Sequence, residues 1–321
     1  AEGYTGAGFE TYLCVLNPGE WEAHLTLRFQ TQEEGEKVFS GPSFRVPPRS
    51  RKTFKANDVL GGRIYQFSLL LESDQPVVAE RPMYFIYSGR GNLNADGGHC
   101  VAGAVSLSHE YFFAEGCTRE GFEEWICLQN PNERELIVKA EYQLDRGGPV
   151  RATYRVPSRS RSTIFVADAV GRERDVSVKL SSDQPFLAER PMYFRYRYSG
   201  VDWDGGHCVV GSPRLSNVWR FAEGYTGPGF HVWLCLQNPG ESPATVRLRY
   251  LTQEKGPVDD GPVILLPRSR STLMVNARVG KSYQLSLEVI TDSGPPILCE
   301  RPMYFEFRGW DGGHDAIGIP P

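Results

Sequence analysis

Long apolar runs are missing from this chain. Nothing in its 321 residues approaches the roughly 18–20 consecutive apolar positions that cross a bilayer as a helix, so membrane insertion of that kind is not expected. A charge of one sign is missing too. Thirty-five Lys and Arg against 39 Asp and Glu leave a net charge of −4, which argues against a nucleic-acid partner or a polybasic membrane surface. Cysteine is scarce, seven in all, too few for a disulfide scaffold. There is no Gly-x-Ser-x-Gly elbow, Ser-His-Asp motif, P-loop or dinucleotide fingerprint. No reaction announces itself, and no cofactor is called for. Glycine (34) and proline (23) are plentiful, as turn-rich β structure requires.

What the chain does have is repetition. Glu-Arg-Pro-Met-Tyr-Phe occurs three times, from Glu80, Glu189 and Glu300. Other landmarks keep the same order around it. Ala-Glu-Gly starts at Ala1, Ala114 and Ala222. A strand-like run with a cysteine ends in Asn-Pro at Asn17, Asn130 and Asn238. Arg-Ser-Arg starts at Arg49, Arg159 and Arg268, and Asp-Gly-Gly-His ends at His99, His207 and His314. The boundaries expected are 1–112, 113–220 and 221–321. Units of roughly 110 residues can each bury a core, unlike solenoid repeats.

Within a unit the period is that of strands. In the third, His231–Leu236, Ala244–Leu251, Val263–Leu266, Ser271–Val275, Ser282–Ile290, Ile297–Phe307 and a last short run after His314 are strand-like, and no helical period competes. The fold expected is all-β: three tandem immunoglobulin-like antiparallel β-sandwich domains, with a barrel as the alternative. The proline inside each hexapeptide cannot donate to a ladder and should mark an edge, a bulge or a strand switch. The cysteine-bearing strand should be central, with Val15, Leu128 and Leu236 or their immediate neighbours facing the core.

Several residues could carry chemistry or binding. Cys14, Cys127 and Cys235 are equivalent. Cys100 and Cys208 follow the repeated histidine, where the third unit has Asp315 but gains Cys299. That exchange proposes the pairs Cys14–Cys100, Cys127–Cys208 and Cys235–Cys299, against the plainer reading of small buried hydrophobes. His99, His207 and His314 follow Asp96, Asp204 and Asp311. Their expected role is to order a Gly-Gly turn, with ligand contact or a metal site as alternatives. In a linear array the three would lie far apart. The pairs Glu80-Arg81, Glu189-Arg190 and Glu300-Arg301 are adjacent in sequence and point to opposite strand faces. Each residue should therefore pair with another repeated charge, for example Arg81 with Glu2, as a buried structural lock. Trp203 and Trp310 stand beside Asp204 and Asp311 as a sugar-stacking platform or a cover for a junction.

The strings Phe-Ala-Glu-Gly-x-Thr, Trp-Leu-Cys-Leu-Gln-Asn-Pro, Glu-Arg-Pro-Met-Tyr-Phe and Trp-Asp-Gly-Gly-His resemble an uncharacterised tandem repeat of bacterial secreted and cell-surface proteins. The resemblance spans essentially the whole chain. It implies an extracytoplasmic location and a β-sandwich module, and it transfers no catalytic residue. The expectation is a non-enzymatic extracellular structural, adhesive or assembly module, with a carbohydrate-binding accessory as the alternative. Its partners would be other protein domains, copies of itself end to end, or cell-surface glycans. The connecting segments 105–112 and 211–221 should pack rigidly. The tail Ile317–Pro321 and the start at Ala1 read as complementary unfinished ends.

Overall fold

Alternating burial along each strand builds a chain that is 63% strand and 6% helix, in several antiparallel sheets. The structure is a computed structural model that describes residues 1–90, 93–280 and 283–321. Ser282, the expected first residue of one strand, lies outside the described residues. In the first repeat one sheet has the order Ser50–Lys55, Phe9–Asn17, Val78–Ser88, Asn94–Ala102. The other centres on Ala23–Thr31, flanked by Gly35–Phe39, Arg45–Val46 and Phe67–Ser73. The third repeat has the same two sheets. In the second they merge, because one 23-residue strand, Val176–Tyr198, runs through both. Each repeat has a main cluster of buried residues between its sheets, a sandwich-like packing, and two further clusters join neighbouring repeats.

The cysteine-bearing strand is central, between the Arg-Ser-Arg strand and the hexapeptide strand, and Val15, Leu128 and Leu236 are fully buried. Two local features lay outside the sequence reading. A single short helical turn follows each Arg-Ser-Arg strand, at Ala56–Val59, Val166–Val170 and Val275–Val279. This turn takes Val275 out of the strand predicted to end there. The repeated Asn is also a staple: Asn17 Nδ2 donates to the carbonyls of Trp21, Val46 and Pro47, and Asn130 and Asn238 do the same in their repeats. One buried amide thus ties the turn to the neighbouring strand end.

Two expectations need correction. The hexapeptide proline is not at an edge: its strand is paired on both sides. The ladder to the cysteine strand lapses around Pro82, between Thr11↔Met83 and Cys14↔Glu80. Pairing to the other neighbour continues through Pro82↔Cys100. The missing N–H is thus accommodated inside the sheet, and only in the third repeat is the strand split, into Leu298–Glu300 and Met303–Phe307. Asp-Gly-Gly-His is not a turn either. It lies within the strand Asn94–Ala102, and likewise in Val201–Val210 and Trp310–His314.

The connecting segments are strands of the repeat that follows them. Ser108–Phe113 pairs with Val176–Tyr198, and Val218–Phe221 pairs with Leu285–Ser293. A boundary after 112 would therefore cut a strand. Phe112 and Trp219 are buried, while Val105 is fully exposed. The tail turns back on its own repeat: Ile319 pairs with Arg220, and Ile317 with Glu300.

The hexapeptide reads as core. Met83, Phe85, Met192 and Phe194 are at most 3% exposed, whereas Tyr84 is 58% exposed. Phe194→Ala should lower unfolding free energy by about 3–5 kcal/mol, and Tyr84→Ala should change it by less than about 0.5, measured by urea denaturation. A Phe194→Ala variant as stable as the parent would remove this residue from the core.

Candidate functional site

Charge is concentrated at two buried junctions between repeats. At the first, Arg81 donates to Glu2 Oε2 at 3.1 Å within its own repeat and to Glu189 Oε2 at 2.8 Å in the next. Glu189 also receives the Ala1 ammonium and the Glu2 amide, the latter at 2.9 Å. Tyr193 from the second repeat donates to Glu2 Oε1 at 2.8 Å. The second junction repeats this plan. Arg190, fully buried, donates to Glu115 and Glu300 at 2.7 Å each and to Asp315 at 2.9 Å. The amides of Ala114 and Glu115 donate to the Glu300 carboxylate, and Tyr304 to Glu115. The lock anticipated between Arg81 and Glu2 therefore exists. The sequence did not show that a third partner comes from the next repeat.

The titration behaviour follows from this geometry. Burial works against the charge on Arg190, but Glu300, Glu115 and Asp315 outweigh it and hold the guanidinium protonated. Burial would raise the Glu189 carboxyl, yet the Ala1 ammonium and Arg81 push it down to about 2. Where acids crowd, the direction reverses. Burial first, then Glu300 and Glu115, drives Asp315 well above the ordinary range. Burial likewise holds Glu124 up at about 8, against the pull of Arg190. The trios Glu2, Glu189, Cys208 and Glu115, Glu300, Asp315 converge closely enough to grip a cation. In each, an arginine already supplies the positive charge.

The third repeat keeps only half of this arrangement. Arg301 is 3% exposed, and among the described residues the one carboxylate it pairs with is Glu223, at 3.1 Å. Its Nε and Nη1 lack any hydrogen-bond partner among the described residues. Burial lowers its affinity for a proton, where Arg190 gains. At the other end Glu80 is exposed.

The Asp-Gly-Gly-His strands run side by side through the molecule, so the histidines are not scattered along an array. The Asp96 amide donates to Asp204 Oδ1, and the Asp204 amide to Asp311 Oδ2, at 2.9 Å each. A side chain on Gly205 would meet Gly312 Cα at 3.3 Å, and one on Gly206 would meet Phe85 at 2.8 Å. Glycine is therefore required by close approach of neighbouring repeats. Each histidine faces the acid of its own repeat: His99–Glu2 3.2 Å, His207–Glu115 3.6 Å, His314–Glu223 3.5 Å. Burial lowers all three below their ordinary 6.5, so they are neutral packing groups at pH 7.

Trp203 offers no sugar platform. It is 5% exposed, stacked on Tyr196 at 5.7 Å and against His231 of the third repeat at 5.0 Å. It covers a junction. Trp310 is 78% exposed. All seven cysteines are free thiols. In each proposed pair one thiol lies near enough to its partner to be pushed up by it, with burial the larger cause: Cys100 by Cys14, Cys208 by Cys127, and Cys299 by Cys235. The sequence missed a cleft of about 580 Å³ at the first junction, lined by Tyr4, Tyr87, Trp125, Tyr193, Arg90 and Arg161 among others.

Removing the charge from a buried cluster is costly only where partners are left behind. Arg190→Met should destabilise by about 3–5 kcal/mol, and Arg301→Met should cost little or nothing, measured by chemical denaturation. Equal losses would show that the two guanidiniums are held alike. Glu124 gives a pH test. Its folded carboxyl titrates near 8 against an ordinary 4.5, so the folded state retains a proton that the unfolded state loses. Its destabilising effect is absent below pH 4.5, grows through that window and is full above 8. Glu124→Gln should match the parent at pH 4 and exceed it increasingly up to pH 9. A difference independent of pH would contradict this.

No family model matches this chain, and no curated protein matches it. Among solved structures, Thermotoga maritima 1070 is 20% identical over 34% of this chain and 97% of its own, with a TM-score of 0.31. The Anabaena sensory rhodopsin transducer is 19% identical over 27% and 99%, at 0.25. The serine-rich repeat protein Srr2 of Streptococcus agalactiae is 8% identical over 76% and 85%, at 0.17. Likenesses this faint assign no function.

Proposed function

We propose that this chain is a non-enzymatic structural module: three tandem immunoglobulin-like sandwiches welded into one stiff unit of an extracellular or cell-surface protein. The observation that carries this reading is the pair of buried junctions, in which Arg81 and Arg190 each bind acids from two repeats. Domain contacts within a chain are usually polar and permit motion. Here the junction charges are dehydrated and would be stranded by separation. The acids that might have served catalysis are engaged in holding repeats together. The extracellular assignment rests on the sequence resemblance.

Carbohydrate binding is the second reading, and the cleft of Tyr87, Trp125 and Arg90 at the first junction favours it. A glycan array with parent and Trp125→Ala protein separates the two: sugar-specific binding lost in the variant would establish it. For the structural reading, small-angle scattering of the chain should fit a single rigid shape. A curve that requires a spread of angles between repeats would sink it.

A further inference from the structure

The two interior junctions define what a complete junction contains, and the outer faces each show half of one. On the third repeat, Arg301 is buried with Nε and Nη1 unpaired. The Ala222 and Glu223 amides occupy the positions whose counterparts donate to Glu189 and Glu300. They have no acceptor among the described residues, and both residues are exposed. On the first repeat, Glu80 is exposed where Glu189 and Glu300 are buried.

The surrounding groups match in the same sense. At the interior junctions Tyr87 stacks on Tyr193 at 3.9 Å and Tyr196 on Tyr304 at 4.4 Å. The unused counterparts are Phe307, 53% exposed, and Tyr84, 58% exposed. Arg270 enters the second repeat to reach Ser177 Oγ and the Ala114 carbonyl at 3.1 and 3.3 Å. The equivalent site on the third repeat is an open groove of about 510 Å³ that includes Ser286, Gln284 and Ala222. The equivalent arginine, Arg51, is exposed on the first repeat.

We propose that a second copy of this chain docks its first-repeat face on the third-repeat face, Glu80 closing on Arg301 and on the Ala222 and Glu223 amides while Arg51 enters the open groove. The proposal deepens the structural reading and rests on it. The occupant is another copy because what the third repeat lacks is what the first repeat shows: one carboxylate, one arginine and one aromatic ring, in the arrangement already built twice inside the chain. The contact is heterologous, so it extends unless the rotation closes a ring. The tail at Ile317–Pro321 takes no part, since it pairs with its own repeat.

Complementary variants test this. Glu80→Gln disables one face and Arg301→Gln the other, and both should fold, since Glu80 is exposed and among the described residues the Arg301 guanidinium hydrogen-bonds Glu223 alone. By analytical ultracentrifugation the parent should gain mass with concentration. Each variant alone should lose self-association by roughly 100-fold or more. An equimolar mixture of the two should form a one-to-one dimer that grows no further, because each supplies the face the other lacks. A monomeric parent, variants that associate like the parent, or a mixture that stays monomeric would overturn the proposal. A monomer that still scatters as one rigid shape overturns it while leaving the structural reading intact. A monomer with varying inter-repeat angles defeats both.

Discussion

A guanidinium taken out of water must find its acids. Arg190 has none of its surface exposed and binds Glu115 from its own repeat together with Glu300 and Asp315 from the next. Desolvating such a cluster is expensive, and the attraction recovered inside scarcely exceeds the cost. What the cluster supplies is an all-or-none condition: if the repeats part, one arginine and three acids are left partly unpaired. Arg81 imposes the same condition on the first and second repeats. Successive repeats are in this way tied to one another.

The rest of the junction is shaped to let the charges meet. The Asp-Gly-Gly-His strands of successive repeats approach so closely that a side chain on Gly205 would press on the neighbour's Gly312 and one on Gly206 would collide with Phe85. Over this spine, Tyr193 lies on Tyr87 and meets Phe85 edge-on at 5.0 Å, and Tyr304 does likewise with Tyr196 and Phe194. These tyrosines turn the apolar interlock into a polar one as well, since their hydroxyls donate to Glu2 and Glu115. The hexapeptide tyrosines Tyr193 and Tyr304 therefore serve the preceding repeat, where they pack with the hexapeptide phenylalanines Phe85 and Phe194. Tyr84 is exposed.

Much of this was legible in the sequence. Strand alternation gave the all-β class, and an identical hexapeptide gave the repeat. A charged pair amid apolar residues gave Arg81 with Glu2. What could not be read was anything that depended on how repeats face one another. Asp-Gly-Gly has the composition of a turn, so its place inside a strand emerges only when the neighbouring strand is seen to press on it. Trp203 beside Asp204 has the look of a binding loop until His231 of the third repeat covers it. Glu189 is two links from Arg81 in any sequence argument, because adjacency tied it to Arg190 instead. Local pattern specifies the strand faces. It carries no address for the partner across a junction.

The departures of single repeats follow from the same constraint. Cysteine at 208 lies 3.6 Å from both Arg81 and Glu189, at the edge of the first cluster. Its counterpart Asp315 lies against Arg190 and takes a direct ion-pairing role. The change from cysteine to aspartate therefore has a cause within the junction, apart from any bond to another thiol. At the second junction Asp315 is an added acid, its carboxyl held well above the ordinary range by burial and by Glu300 and Glu115. The chain varies the cysteine position and leaves the Glu-Arg pair unchanged.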